Sequence, residues 1–513
     1  MSKIKSFIIN HFNVFTFIVL AIVVFSLYGK TLFFDFSYYD DDVLILDRQE
    51  YLSFSNIKNI FSNTVFGVGM DKFCRPVLNL TFLCEKYLYG IKPFGYHFTN
   101  VLIHLFAVFS IYLFLSLLYD KKKTLIFCLL LSCHPAIVQA VAWIPGRNDS
   151  LLTLFVCLSF YFFVKYTEED KISCLFGYLF CFVLALFTKE TAIITPVFYF
   201  LLLVFKKKNV KKIIVCVTMW ILITSVYLIY RKYVLSYQSL SVTCNDLLKN
   251  FIVSFPATAK YIANIFFPIK LSVFPSMLEV NYLLAVTSVL VTVLFFLKFK
   301  IFNLKFVLFG FCWFFLFLFP TFLMANNYFY DHRIYLPLVG ILMVLLEVTK
   351  TYNDLFSKKF MVIIFSVFLC FSAITVFYEQ KFENKEVFWI SALDISPQSD
   401  IPHAVIAGFL TNKGFYKEAE EQMLEAIAIK ESSTHYDNLA VIYAGMGALD
   451  KMEQALLKSL TLSKSNPTTY YNLALLYKYK GNKEKAQEMK NEYINLFKKT
   501  NKVSKMDDID LEK

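Results

Sequence analysis

Long apolar segments limit the folds open to this chain more than any other feature. The first runs from Phe7 to Gly29. At about 1.5 Å of rise per helical residue, it is long enough to cross a hydrocarbon core of about 30 Å. Ten more follow: Tyr96 to Tyr119, Thr124 to Ile144, Ser150 to Tyr166, Ile172 to Thr188, Thr191 to Phe205, Val210 to Tyr230, Tyr282 to Leu297, Phe306 to Met324, Ile334 to Val348 and Phe360 to Tyr378. Because no water satisfies backbone groups inside a bilayer, these segments must be helices. With 58% hydrophobic residues overall, we predict an all-α polytopic membrane protein.

Clusters of lysine predict the orientation of these spans, because lysine-rich loops stay on the cytoplasmic side. The clusters are Lys121 to Lys123, Lys206 to Lys212, Lys298 to Lys305 and Lys350 to Lys359. They share one side only if Phe251 to Pro275 does not cross fully, so we predict a re-entrant or interfacial segment there. The N-terminus is then cytoplasmic, and everything after Tyr378 faces the periplasm or a lumen. The formal charge of +12 reflects these loops, and no nucleic-acid partner is predicted.

The C-terminal part repeats itself. The stretch Asn438 to Ala455 matches Asn472 to Met489 with a shift of 34 residues, and Gly414 marks an earlier copy. A period of about 34 with small residues and a turn glycine at fixed offsets is the tetratricopeptide signature. We predict a membrane domain at 1–380, a linker with a partial repeat at 381–400, tetratricopeptide repeats at 401–500 and a polar tail at 501–513.

A long loop, 30–95, joins the first two spans and carries the stretch YYDDDVLIL with Asp40, Asp41 and Asp42. Helical spacing of apolar residues predicts two interfacial helices behind it. On the predicted topology the unusual polar clusters at span ends all fall on the outer side: Asp40 to Asp42, Arg75, His134 to Asp149, Thr188 to Thr191 and Asp331 to Pro337. Ionisable groups near membrane depth are costly and usually mark a site. We therefore expect one outer cavity rich in both carboxylates and cations.

Such a mixture suits one kind of reaction. A carboxylate can remove the proton of an acceptor hydroxyl, while arginine, lysine and histidine neutralise a phosphate. Arg75, Arg147 and Arg333 offer forked donors, and Lys189 offers a compact charge. This chemistry predicts group transfer from a lipid-linked phosphate to a hydroxyl.

Five ordered segments followed by the repeats resemble the transmembrane and tetratricopeptide repeat containing proteins and their bacterial relatives. The segments are YYDDDVLILD, CRPVLNLTFLCEKYLYGIKPFGYHFTNVLIHL, HPAIVQAVAWIPGRNDSLLTLF, LFTKETAIITPVF and DHRIYLPLVG. The resemblance implies a GT-C membrane glycosyltransferase related to protein O-mannosyltransferases. It also implies a polyprenyl-phosphate-linked sugar as donor and a protein or glycan hydroxyl as acceptor. The repeats would recruit that acceptor or a protein partner.

The resemblance also implies roles for particular residues. The family's acidic pair corresponds to Asp41 and Asp42, one of which would be the catalytic base, with Asp40 as an extra acid. From the chemistry of the cations, we expect the donor phosphate to be held by some of Arg75, His134, Arg147, Lys189 and Arg333. Supporting positions would be Gln139, Asp149, Glu190, His332 and Tyr335.

Two positions depart from the family pattern. Ile137 stands where a second histidine is common, and Gln139 stands where a glutamate is common. Gln139 can bind a hydroxyl but cannot act as a base. The departure therefore keeps open a second reading, in which the chain is a non-enzymatic membrane scaffold that assembles extracytoplasmic proteins through its repeats.

Asp40 to Asp42 also allow blander interpretations. Alone, three adjacent carboxylates are more typical of a solvated turn than of a catalytic centre. They can also attract Mg²⁺ or Mn²⁺, although no ligand spacing here specifies a metal.

Overall fold

A computed structural model describes residues 11–37, 40–66, 73–235, 243–269, 271–275, 282–298, 303–324, 329–351 and 357–499. Within these ranges the chain is helical and contains no strand, which confirms the all-α prediction. The chain divides into two compact units, Met1–Phe388 and Trp389–Lys513. The predicted tail 501–513 and the aromatic pair Tyr38 and Tyr39 lie outside the described residues.

The helices of the first unit follow the apolar segments of the sequence. They are α1 (Phe12–Tyr28), α2 (Ile57–Ser62), α3 (Pro76–Tyr89), α4 (Pro93–Leu115), α5 (Lys121–Ser132), α6 (Gln139–Ala142), α7 (Arg147–Glu169), α8 (Ile172–Thr188), α9 (Thr195–Phe205), α10 (Val210–Leu235), α11 (Cys244–Ser254), α12 (Ala257–Phe266), α13 (Tyr282–Lys298), α14 (Leu304–Leu318), α15 (Tyr335–Val348) and α16 (Lys358–Glu379). The helix α17 (Lys385–Ile395) lies across the boundary between the units.

Among the residues that the structure describes, six helical segments are long and apolar enough to cross a bilayer: Phe12–Phe33, Pro93–Leu115, Ile144–Glu169, Val210–Leu235, Leu304–Leu323 and Lys358–Phe382. Shorter apolar helices at Ile172–Thr188, Glu190–Phe205 and Tyr282–Leu294 coincide with further predicted spans. The protein is therefore a multi-pass membrane protein. The total of eleven spans remains a prediction.

The third predicted span is not a straight helix. Lys121–Ser132 and Pro135–Ala142 meet at an angle of 61°. Pro135 lacks a backbone N–H and cannot continue α5, so a short 3₁₀ turn, Pro135–Ile137, begins there instead. The bend leads the chain to Trp143 and Pro145, which line the polar cavity described below.

The segment Phe251 to Pro275 also breaks at its prolines. Pro256 separates α11 from α12, and residues 271–275 continue without helical structure and are buried. This pattern is compatible with a re-entrant path, which remains a prediction.

Two glycines allow α14 and α15 to pack at close range. A Cβ atom added at Gly310 would lie 2.5 Å from the carbonyl oxygen of Gly340, and one at Gly340 would clash with the carbonyl oxygen of Gly310. Small residues at a crossing let membrane helices approach closely. This contact fixes the two helices whose ends carry cavity residues.

The second unit is a stack of helix pairs: α18 (Asp400–Asn412) with α19 (Tyr416–Ile429), α20 (Ser433–Gly445) with α21 (Leu449–Leu462), and α22 (Pro467–Tyr479) with α23 (Lys483–Lys499). Gly414, Gly447 and Gly481 turn the chain within each pair at φ values of 81°, 71° and 75°. Such positive φ values favour glycine. The pairs have the arrangement that the 34-residue period predicts.

Candidate active site

One cavity of about 700 Å³ collects the polar ends of several helices of the first unit. Its ionisable lining residues are Asp40, Arg75, Asp149, Lys189, Glu190, Arg231, His332 and Arg333. They come from the first loop, the start of α7, the segment after α8, the end of α10 and the turn before α15. The structure thus places residues from five distant parts of the sequence around one space.

The three adjacent aspartates have three different environments. Asp40 lines the cavity and is partly exposed. Asp41 is buried, and its Oδ2 accepts hydrogen bonds from the backbone N–H of Ser37 at 2.7 Å and from the Ser37 hydroxyl at 2.8 Å. Asp42 begins a π-helical turn, Asp42–Leu46, and its neighbouring charges are Lys385 and Asp47. Only Asp40 among the three lines the cavity.

The loop's own apolar core fixes this arrangement. Leu44 and Ile45, which follow the aspartates after Val43, are buried with Phe36 and Ile60. Burying both apolar residues fixes the turn that precedes them, so Asp40 and Asp42 cannot exchange environments without exposing apolar surface.

The carboxyl group of Asp40 is easily protonated. Burial, reinforced by the neighbouring Asp41 carboxylate and opposed by Arg75, raises the pKa of Asp40 to about 7. A general base is most effective when its pKa lies near the working pH.

Carboxylates inside the cavity hold some of its cations in place. Arg75 Nε donates to Glu190 Oε2 at 3.2 Å, and the backbone N–H of Cys74 donates to Glu190 Oε1 at 2.8 Å. Lys189 Nζ lies 2.7 Å from both carboxylate oxygens of Asp149. These pairs orient Arg75 and Lys189 toward the space between them.

The turn before α15 adds Arg333 and His332. The Arg333 guanidinium lies 5.4 Å from the ring centroid of Tyr330, a distance at which cation–π attraction operates. Two bonds from α12 hold the same turn, because Tyr261 donates to the carbonyl of Tyr330 at 3.2 Å and Asn264 donates to Asp331 at 2.8 Å. The short helix α12 thus positions this part of the cavity wall.

Two residues expected to bind the donor phosphate, Arg147 and His134, and the expected supporting residue Tyr335 do not line the cavity. Arg147 is fully buried; its Nη1 lies 2.6 Å from both Glu85 oxygens, and its Nη2 donates to the Tyr96 carbonyl at 2.9 Å. His134 Nε2 lies 3.1 Å from the carbonyl of Ile265. Tyr335 lies 2.6 Å from His104 Nδ1. Their contacts hold helices together.

The two departures from the family pattern have different surroundings. Ile137 is buried in the apolar interior. Gln139 is also fully buried, and its Oε1 lies 3.0 Å from His332 Nδ1. Gln139 therefore acts on the cavity through His332.

Sequence reasoning missed Arg231 and Tyr227, which line the cavity from the end of α10. A signal existed, because the lysine-based topology already placed the end of the predicted span Val210 to Tyr230 on the outer side. The arginines of the chain are Arg48, Arg75, Arg147, Arg231 and Arg333. Three of these five line one cavity, where forked donors suit phosphate oxygens.

The parts of the chain that the structure describes contain no group of three or more His, Cys, Asp or Glu side chains placed to hold a metal ion. Asp41 and Asp42 do not line the cavity beside Asp40, so these aspartates do not form one carboxylate cluster there.

Fold and site define a class: a multi-pass all-α membrane protein with a polar cavity at one end of its helices and a tetratricopeptide unit. Comparison with known proteins agrees. Residues 77–230 match the family model described as dolichyl-phosphate-mannose-protein mannosyltransferase, and residues 467–499 match the tetratricopeptide repeat model. The resemblance to the transmembrane and tetratricopeptide repeat containing proteins is thereby confirmed.

Individual relatives match one part of the chain. Protein O-mannosyl-transferase TMTC3 of Mus musculus is 32% identical over 157 residues, which cover 29% of this chain and 17% of that protein. Protein O-mannosyl-transferase TMTC2 of Homo sapiens is 35% identical over 148 residues, which cover 28% of this chain and 18% of that protein. Protein O-mannosyl-transferase Tmtc1 of Drosophila melanogaster is 29% identical over 175 residues, covering 33% and 20%. The chain thus matches a fifth or less of the length of each of these relatives.

Proposed function

We propose that the protein is a membrane glycosyltransferase. It transfers a sugar from a polyprenyl-phosphate-linked donor to a hydroxyl group of a protein or glycan, on the extracytoplasmic side. The observation that carries this proposal is the cavity itself, in which Asp40 shares one space with Arg75, Lys189, Arg231 and Arg333. The matched relatives, named as protein O-mannosyl-transferases, support the same reaction class.

The cations suit a departing phosphate. As the bond between the sugar's anomeric carbon and the phosphate oxygen breaks, the phosphate keeps the bonding electrons and gains negative charge. Donors fixed in advance stabilise such charge without reorganising. Arg75 and Lys189 are fixed by Glu190 and Asp149, and Arg333 lies over the ring of Tyr330.

Asp40 is the base in this mechanism. Its carboxylate accepts the proton of the acceptor hydroxyl while the hydroxyl oxygen bonds to the anomeric carbon, from the side opposite the phosphate. Asp41 acts as a positioning residue through its two bonds to Ser37. This assignment differs from the expectation from family resemblance, which favoured Asp41 or Asp42.

An apolar cavity supports a lipid-linked donor. A space of about 280 Å³ is lined by apolar side chains that include Ile262, Phe311 and Ile341, and it has no exposed polar lining. Both cavities are lined by α14 and α15. On α14, Phe311 of the apolar cavity precedes Phe317 of the polar cavity by about 9 Å of helical rise. A donor with its phosphate among the cations could place its polyprenyl chain here, and the tetratricopeptide unit would recruit the acceptor or a protein partner.

Lipid binding separates the enzyme from a scaffold. The protein is purified from membranes and its bound lipids are identified by mass spectrometry. A polyprenyl phosphate lipid should accompany the wild type and be lost from Arg333→Ala. The lipid should be kept by Lys171→Ala, which removes an exposed cation just before α8, at the end of that helix away from the cavity residue Lys189. Equal lipid content in all three proteins, or none in the wild type, would contradict the proposal.

A further inference from the structure

Gln139 and His332 form a hydrogen-bonded pair in the cavity wall to which the mechanism above assigns no role. The amide nitrogen of Gln139 lies 3.0 Å from the carbonyl oxygen of Val273. A carbonyl oxygen can only accept, so this end of the amide is the NH₂ group, and Gln139 Oε1 must face a donor. The group facing it is His332 Nδ1, at 3.0 Å. The hydrogen-bond network therefore assigns the proton of a neutral His332 to Nδ1.

The other ring nitrogen, Nε2, is then an acceptor. It lies 3.7 Å from Asp149 Oδ2, which is longer than a hydrogen bond. Both Asp149 oxygens already accept from Lys189 Nζ at 2.7 Å.

Charge supports the neutral form of His332. The charged groups that face it are the Asp149 carboxylate and the cations of Lys189, Arg333 and Arg75. Burial, opposed by the Asp149 carboxylate and reinforced by the three cations, lowers the pKa of His332 to about 3. His332 is therefore uncharged at neutral pH.

Two acceptors that face each other at this distance repel unless a donor lies between them. We propose that a hydroxyl group of the substrate donates its one proton to His332 Nε2 and Asp149 Oδ2 as a bifurcated hydrogen bond, and that Gln139 is the positioning residue that keeps Nε2 unprotonated. This inference rests on the proposed function, since it assigns part of the sugar-transfer cavity.

The aromatic groups beside His332 suit a carbohydrate. Tyr330 stacks on the imidazole with a centroid distance of 5.3 Å, and Trp143 lies 5.8 Å from it. Both rings line the cavity. A sugar presents C–H groups on its face and hydroxyls at its rim. Aromatic rings can pack against the C–H groups while the two acceptors bind a hydroxyl. The hydroxyl belongs either to the donor's sugar or to a glycan or side-chain acceptor.

Binding measurements distinguish these sources. Wild type and His332→Phe, each in lipid nanodiscs, are titrated with polyprenyl phosphate and with polyprenyl phosphate mannose. If the hydroxyl is the donor's, His332→Phe should weaken binding of the mannose-bearing lipid about tenfold, as the loss of one hydrogen bond implies. Binding of polyprenyl phosphate alone should stay unchanged. If the hydroxyl is the acceptor's, both lipids bind normally and the KM for the acceptor rises instead.

Gln139→Glu tests the positioning role. A carboxylate beside Nδ1–H favours the imidazolium, which makes Nε2 a donor and closes it onto Asp149. Binding of the mannose-bearing lipid, or the acceptor KM, should then become pH-dependent and recover at high pH, whereas the uncharged Gln139→Met should not show this dependence.

Nitrogen NMR of ¹⁵N-histidine protein tests the protonation state directly. The His332 signals are assigned as those missing from His332→Phe, and they should show Nε2 unprotonated in the wild type.

Two results would overturn the inference: a protonated Nε2 in the wild type, or a His332→Phe variant with unchanged donor binding and unchanged acceptor KM. A wild type that binds polyprenyl phosphate but shows either result leaves the proposed function standing. A wild type that binds neither lipid contradicts the proposed function and the hydroxyl site together.

Discussion

The ammonium of Lys189 lies 2.7 Å from both carboxylate oxygens of Asp149. Their side chains are 14% and 4% exposed, so this is a buried ion pair within the cavity. A carboxylate neutralised in this way is a poor proton acceptor. The pair therefore removes Asp149 as a competing base, and Glu190 is similarly occupied by Arg75. Among the described residues, Asp40 is then the cavity carboxylate that forms no ion pair of this kind with a lysine or arginine.

Breaking the Lys189–Asp149 pair should destabilise the protein. Lys189→Met leaves a buried carboxylate without its partner, which costs about 3–5 kcal/mol of unfolding free energy. The double variant Lys189→Met/Asp149→Asn removes both charges and should lose less than the sum of the single variants. Denaturant unfolding in detergent measures the difference. Additive effects, or a stable single variant, would show that the pair carries little energy.

Arg147 should matter for stability and not for donor binding. Arg147→Lys keeps the charge but cannot serve Glu85 and the Tyr96 carbonyl together, because lysine lacks the planar fork. We expect a loss of about 1–3 kcal/mol, with an unchanged donor KM in the protein that folds. Arg75→Lys is the matched comparison and should raise the donor KM. A raised donor KM for Arg147→Lys would indicate that Arg147 binds the donor phosphate after all.

Transfer should depend on pH through Asp40. The base must be ionised, and the pKa of Asp40 is raised to about 7. The rate constant kcat/KM should therefore be half of its maximum near pH 7, approach the maximum at higher pH, and fall about tenfold per pH unit well below pH 7. Asp42→Asn should leave the midpoint in place, because Asp42 does not line the cavity. A flat profile between pH 5 and 8 would be incompatible with Asp40 as the base.

The close contact of α14 and α15 should not tolerate an added methyl group. Gly310→Ala forces a Cβ atom against the Gly340 carbonyl, and overpacking of this kind costs about 1–3 kcal/mol. Gly29→Ala is the control, since an added Cβ there meets nothing within 4 Å. Thermal unfolding of both variants compares them. Equal melting temperatures would mean that the helices can separate without cost.

Much of the fold follows from patterns that a single sequence contains. Apolar length predicts the helices, and the 34-residue period predicts the helix pairs of the second unit. The bend at Pro135 was harder to predict, because a proline can be accommodated within a membrane helix when neighbouring groups satisfy the freed carbonyl.

The site was predicted at the level of segments but not of individual side chains. Lysine topology indicates which helix ends share a face, and the cavity indeed collects residues from those ends. Which aspartate enters it depends on the turn that Leu44 and Ile45 fix by their burial. Whether an arginine binds a ligand or a neighbouring helix depends on a partner distant in sequence, as Glu85 is for Arg147. The local motif shows neither which aspartate enters the cavity nor which group the arginine binds.

Sugar transfer by matched asparagine variants tests the central proposal most directly. Membranes containing wild type, Asp40→Asn or Asp42→Asn are supplied with polyprenyl phosphate mannose, and label incorporated into protein and glycan is measured. Losing the general base should lower transfer by Asp40→Asn at least about 100-fold, while Asp42→Asn should stay within about threefold of wild type. Wild-type transfer by Asp40→Asn, at equal expression, would contradict the assignment of Asp40 as the base.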